Sequence, residues 1–183
     1  MDSSKKPIRK PTRLKNYNYN WQSSYFLTLC TKNKECIFGK ISKEVITDTS
    51  LSANKVVPVA AEINLSKIGK IAEKYITSTN TQNADIEVEH YVIMPNHIHL
   101  LIYVNNNNNQ SIGPNAIIPK YVSSLKRLIN KECGKKLFQR SYYDHIVRND
   151  KDFDNIWNYI DGNPVTWEKD CFFTNVDFNF KTK

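Results

Sequence analysis

Residues Ile86–Val104 read IEVEHYVIMPNHIHLLIYV. Ile86–Ile93 and His97–Val104 are both rich in β-branched and apolar residues, a strand pattern. Met94-Pro95-Asn96 separates them: Pro95 lacks a backbone donor and Asn96 tolerates turn conformations. The pair therefore reads as an antiparallel hairpin. On a strand, residues two apart share a face, so His97 and His99 point the same way while Ile98 turns into the core. Beside a turn, at the end of a sheet, both imidazoles can address one ion. The alternative is a chance polar pair on a half-exposed strand.

Working outward, Tyr25–Thr31 carries a strand pattern, and Ile37–Ile41 and Val56–Ala61 add two more across a polar stretch, Thr47–Lys55. Leu65, Ile68, Ala72, Tyr75 and Ile76 recur at helical spacing over Leu65–Thr79, with Asn64 as a cap. Asn105–Gln110 begins a loop that runs to Pro114. Pro119 opens a helix through Lys131 with Val122, Leu125, Leu128 and Ile129 on one face. Tyr142–Val147 is a short strand. Asp150–Gly162 is a helix with an apolar stripe of Phe153, Ile156, Trp157 and Ile160, ended by Gly162-Asn163-Pro164. This order of elements predicts an α+β fold, helices packed against an antiparallel sheet.

The chain has 183 residues, 40% of them hydrophobic, which suits one domain with its own core and excludes wholesale disorder. We expect a basic flexible arm at 1–20, a domain at 21–170 and a tail at 171–183. No apolar run approaches the roughly 20 residues that span a bilayer. Four cysteines without close pairing read as reduced thiols in a cytoplasmic protein, and no membrane partner is expected. The formal net charge is +8. Residues 1–20 hold six bases against one acid, and residues 119–148 eight against two. Two basic blocks point to a polyanion such as nucleic acid. A solvated surface with a basic tail is the alternative.

Tyr159 and Asn163 stand four apart, on one helix face at the edge of its apolar stripe. Alone, they could be a boundary tyrosine and a C-terminal cap. Tyr142, Tyr143 and His145 lie between Arg140 and Arg148, an arrangement suited to base stacking and phosphate contact, or to a strand packed on the core. His90 shows no evident partner, and Trp21, Trp157 and Trp167 read as packing residues. There is no phosphate-cradling glycine loop, no nucleophile elbow, no second H-x-[ST] and no structural zinc spacing.

Met94–Leu101 resembles the M-P-N-H-x-H-L-L segment of single-tyrosine HUH transposases, the insertion-sequence-200-like family. Phe38–Ile41, Leu65–Gly69, Phe138–Asn149 and the Tyr159–Val165 run YIDGNPV are similar, in the same order, to segments of its REP-associated tyrosine branch. The resemblance spans residues 21–167. It implies a ferredoxin-like, RNA-recognition-like domain. It implies His97 and His99 as ligands of a divalent cation, Mg²⁺ or Mn²⁺, with Asn163 as a third ligand and Tyr159 as nucleophile. It also implies cleavage and rejoining of single-stranded DNA with a hairpin, through a 5′-phosphotyrosine. Lys120, Lys126, Arg127, Arg140 and Arg148 are the expected DNA contacts, and a monomer with its site in cis the expected assembly. The competing readings are a non-catalytic nucleic-acid-binding module stacking bases on Tyr25, Phe26 or Tyr103, and an HUH replication initiator or relaxase.

Overall fold

The computed structural model describes residues 22–47, 56–105 and 116–173. The expected arm at 1–20, Trp21, most of the polar stretch before Val56 and of the asparagine-rich loop, and the tail past residue 173 lie outside them.

Four strands form the main sheet: β1 (Ser23–Cys30), β4 (Ile86–Ile93), β5 (His97–Val104) and β6 (Tyr143–Ile146). Their order is β4-β5-β1-β6, every neighbouring pair antiparallel. Helix α1 (Lys67–Thr77) connects β1 to β4, followed by the short α2 (Thr79–Gln82), and α3 (Ile117–Glu132) connects β5 to β6. This is the ferredoxin-like arrangement. A ribbon of β2 (Gly39–Thr47) and β3 (Val56–Leu65) is inserted after β1, and α4 (Asp150–Gly162) follows β6.

Strand alternation assigns each sheet face a task. Tyr25, Leu27 and Leu29 of β1 and Ile98, Leu100 and Ile102 of β5 point into the main core against Ala72 and Ile76 of α1 and Ile118, Val122, Leu125 and Ile129 of α3. The other face carries Phe26, Thr28, His97, His99 and Leu101. There α4 lays Ile156 and Ile160 on Val92, Met94 and Leu101, with Trp167 beside them. Tyr25 is fully buried on the helix side, so it cannot stack bases.

A bulge between Val88 and His90 breaks the alternation of β4. Ile86 and Val88 face the main core before it, Tyr91 and Ile93 after it, which turns His90 and Val92 toward α4. Helix α1 starts later than its apolar pattern: Asn64 stays in β3 opposite Lys40, and Ser66 is the cap, accepting from the Gly69 amide at 3.1 Å. A Cβ on Gly69 would collide with the Phe38 carbonyl, which accepts from the Ser66 amide at 2.8 Å. Glycine thus lets the helix start sit against the chain entering β2. None of the four cysteines is in a disulfide. No helix among the described residues is long and apolar enough to cross a membrane.

Candidate active site

Leu29↔Ile98 and Thr28↔His99 pairing fixes where the histidines stand. Both are buried, and their Nε2 atoms approach to 3.0 Å. Asn96 sets the tautomer of His97. Its Nδ2 donates to the Phe172 carbonyl at 2.8 Å and the Lys34 carbonyl at 3.2 Å, which leaves Oδ1 to accept from His97 Nδ1 at 2.9 Å. The proton is therefore on Nδ1, and Nε2 presents a lone pair to the site. The Thr28 hydroxyl lies 2.9 Å from His99 Nδ1 and can accept the equivalent proton. Burial pushes the pKa of His97 down to about 3, helped by Lys34, and lowers that of His99 as well. Two neutral imidazoles thus converge.

Helix α4 brings Tyr159 to them, its hydroxyl 3.4 Å from His99 Nε2 in the same chain. Phe26 forms the floor, stacked on His99 with ring centroids 5.0 Å apart and edge-on to Tyr159 at 5.9 Å. Tyr159 is 43% exposed. Burial, and then the neighbouring Asp170 carboxylate, push its pKa up to about 12, while Asn163 opposes the shift. Asn163 follows α4 as its C-terminal cap and is buried.

Both ends of α4 are pinned. The Asn149 side chain accepts from the Asp152 amide at 2.9 Å, and Asp152 meets His145 Nε2 at 2.9 Å. Near the other end, His90 lies 2.7 Å from Asp161 Oδ1 and stacks on Trp157 with centroids 4.2 Å apart. The histidine without an evident partner in the sequence is thus a clamp between the bulged β4 and the helix that carries Tyr159.

Asp170 is the residue the sequence did not mark. The turn Trp167–Lys169 delivers it beside Tyr159. Its side chain is 2% exposed, and Oδ2 lies 3.9 Å from His97 Nε2, 3.3 Å from Asn163 Nδ2 and 3.4 Å from the Tyr159 hydroxyl. His97, His99 and Asp170 offer ligand atoms within 4.8 Å of one another. The expected boundary between domain and tail, after Asp170, runs through this site: Lys34 donates to the Cys171 carbonyl at 3.3 Å, and the Phe172 ring packs 4.7 Å from that of His97.

The donor set fits a divalent cation. Among the described residues, the only basic group within 4.0 Å of the Asp170 carboxylate is His97, which burial keeps neutral. Asn163 Oδ1 is buried with no hydrogen-bond partner. An orphaned buried amide oxygen is costly, and a cation held beside the Asp170 carboxylate would satisfy it. Two imidazoles, a carboxylate and an amide oxygen suit Mn²⁺ better than Mg²⁺.

The expected DNA contacts separate. Lys120, Arg127, Arg140 and Arg148 are exposed. Lys126 is buried, and its ammonium donates to the Gln139 and Ser141 carbonyls at 2.9 Å each. It braces the segment that leads into β6 and is not placed to grip a phosphate.

The family described as "Transposase IS200 like" matches residues 63–163. An uncharacterized protein of Haemophilus influenzae is 27% identical over 188 residues, 91% of this chain and 94% of that protein. A second protein of that organism, named as a REP-associated tyrosine transposase, is 35% identical over 81 residues, 40% of this chain and 46% of its own length. A solved structure, a REP-associated tyrosine transposase bound to a REP hairpin, superposes with a TM-score of 0.55 at 16% identity, covering 85% of this chain and 74% of that one. The last shows a shared fold. With over half of its 183 residues matched, the chain belongs to the IS200-like transposase family of DNA-processing enzymes.

Proposed function

We propose that the protein cleaves and rejoins single-stranded DNA by transesterification through a 5′-phosphotyrosine at Tyr159. The observation that carries this reading is the convergence within one chain of the Tyr159 hydroxyl and the facing His97 and His99 Nε2 atoms. A cis site is supported by the same geometry, since α4 reaches the histidines of its own chain.

His97, His99, Asp170 and Asn163 would hold the cation. When bound, it supplies Lewis-acid polarisation of a non-bridging oxygen on the scissile phosphate. Asn96 and Thr28 keep the imidazoles oriented with Nε2 toward the site. Phe26 and Phe172 exclude water from the histidine rings. Tyr159 attacks phosphorus; the new bond joins its oxygen to the 5′-phosphate, the P–O3′ bond breaks, and the phenol proton is replaced on the departing 3′-hydroxyl. Attack by a different 3′-hydroxyl on the phosphotyrosine reverses the step and joins strands without an energy-rich cofactor. The charged exposed side chains Lys120, Arg127, Arg140 and Arg148 hold the DNA backbone. A hairpin in the substrate is carried over from the REP-associated relatives.

The polarity of the linkage tests the reaction. With Mn²⁺ and hairpin-containing single strands, a 3′-labelled strand should stay with the protein on a denaturing gel, while a 5′-labelled strand should release a fragment ending in a 3′-hydroxyl. The opposite label on the protein contradicts a 5′-phosphotyrosine. The RNA-recognition-like alternative keeps only Phe26 and Tyr103 of its stacking residues, and it leaves the buried Asn163 Oδ1 without a partner.

A further inference from the structure

Only two large apolar side chains among the described residues are exposed: Tyr159 at 43% and Tyr143 at 54%. The first has a role in the reaction proposed above. The second has none, and it stands on the same face of the sheet. In the β1–β6 register Tyr143 lies directly opposite Thr28, and in the β1–β5 register Thr28 lies directly opposite His99. Residues directly opposite on neighbouring strands point to the same face, so Tyr143, Thr28 and His99 form one row across three strands. At about 4.8 Å between strands, the row sets Tyr143 roughly 10 Å from His99. The Tyr143 ring lies 6.2 Å from that of Phe172, which in turn packs 4.7 Å from His97.

The neighbours that could have shared its role are committed elsewhere. Tyr142 is buried, its ring 5.9 Å from the Lys126 ammonium. His145 is tied to Asp152 at 2.9 Å. Tyr143 therefore holds an exposed aromatic face at the rim of the site, on the edge strand of the main sheet, with the exposed Arg140 and Arg148 nearby in sequence. Leaving a tyrosine ring in water gains the fold nothing, whereas a base stacked on it loses that exposure.

We propose that Tyr143 is a stacking platform for an unpaired nucleobase beside the scissile phosphodiester, with Phe172 as its inner wall. The proposal rests on the strand-transfer reading only for the position of the phosphate. It makes the site selective for single strands, because a base inside a duplex presents its edges rather than its face. Stacking on an aromatic ring tolerates every base, so Tyr143 would contribute affinity for single strands in general rather than recognition of one sequence.

The test is a binding measurement in EDTA, independent of cleavage. Fluorescein-labelled oligo-dT and its duplex with oligo-dA are titrated with the wild-type protein, Tyr143→Ala and Tyr143→Phe, all checked for equal thermal midpoints. We expect Tyr143→Ala to weaken oligo-dT binding on the order of tenfold and to leave duplex binding unchanged, with Tyr143→Phe close to wild type. A 2-aminopurine within the oligo-dT, quenched by the wild-type protein and by Tyr143→Phe but not by Tyr143→Ala, reports the stack directly. Wild-type affinity and quenching in Tyr143→Ala, or an equal loss for single strand and duplex, overturns the platform. If those results coincide with a normal covalent adduct at Tyr159, the strand-transfer reading stands and only the platform falls. An adduct that fails to form while the selective loss is seen has the converse meaning.

Discussion

Asp170 shows how a single side chain can complete a site without leaving a mark in the sequence. Its carboxylate is buried among a neutral imidazole, the Asn163 amide and a phenol, with the Phe172 backbone amide donating to Oδ1 at 2.6 Å. Asp170→Asn should lower Mn²⁺ affinity on the order of tenfold or more in a direct titration of the protein without DNA. Unchanged affinity would remove Asp170 from the ligand set. His97 makes a second prediction. Its folded-state pKa of about 3 lies below the ordinary 6.5, so the folded protein binds fewer protons than the unfolded chain between those values. The stabilisation is fully present above about pH 6.5 and is lost as the pH falls toward 3. The thermal midpoint of the protein without metal should drop through that window, and less steeply in His97→Asn. The histidine pair was legible because two residues on a strand fix a shared face. Asp170 was not, because it reaches the site through an irregular turn in a mixed polar run, where no period operates. Lys126 was misread for a related reason: it lies in a basic block, yet it is four residues from Val122 and one from Leu125, on the margin of the buried helix face.

At the scale of elements, α4 is a carrier whose position matters as much as its residues. Its extent could be read from its apolar stripe and the Gly162-Asn163-Pro164 stop, and β4 and β5 from their β-branched and apolar residues on either side of Met94-Pro95-Asn96. The bulge could not, since one inserted residue leaves the composition of a strand unchanged while reversing which face each later side chain takes. That reversal hands His90 to α4. If Tyr159 is the nucleophile, His90→Ala and Asp161→Asn should each slow formation of the covalent adduct on the order of tenfold, because a small displacement of its hydroxyl costs orientation. Mn²⁺ affinity should stay at the wild-type value, as neither residue touches the ligand atoms. Equal losses in both measurements would mean that the clamp supports the whole site rather than the helix.

Across the whole molecule the two sheet faces differ: α1 and α3 bury one, and the other holds His97, His99 and Asp170 under α4 and the segment 167–173. Sequence patterning conveyed this division through Ile98 and its histidine neighbours, and charge distribution conveyed a polyanionic partner. If Lys120, Arg127, Arg140 and Arg148 lie along DNA, replacing any one with Ala should reduce the slope of log affinity against log salt by about 1. A slope identical to wild type would leave that charge a solvated surface group. The central claim, that Tyr159 is the nucleophile of a DNA strand transfer, is tested most directly by incubating wild-type protein and Tyr159→Phe with Mn²⁺ and labelled hairpin-containing single strands. On a denaturing gel the wild type should carry label covalently, and Tyr159→Phe should carry none while binding the same strands with unchanged affinity. A covalent band that survives in Tyr159→Phe would contradict the account.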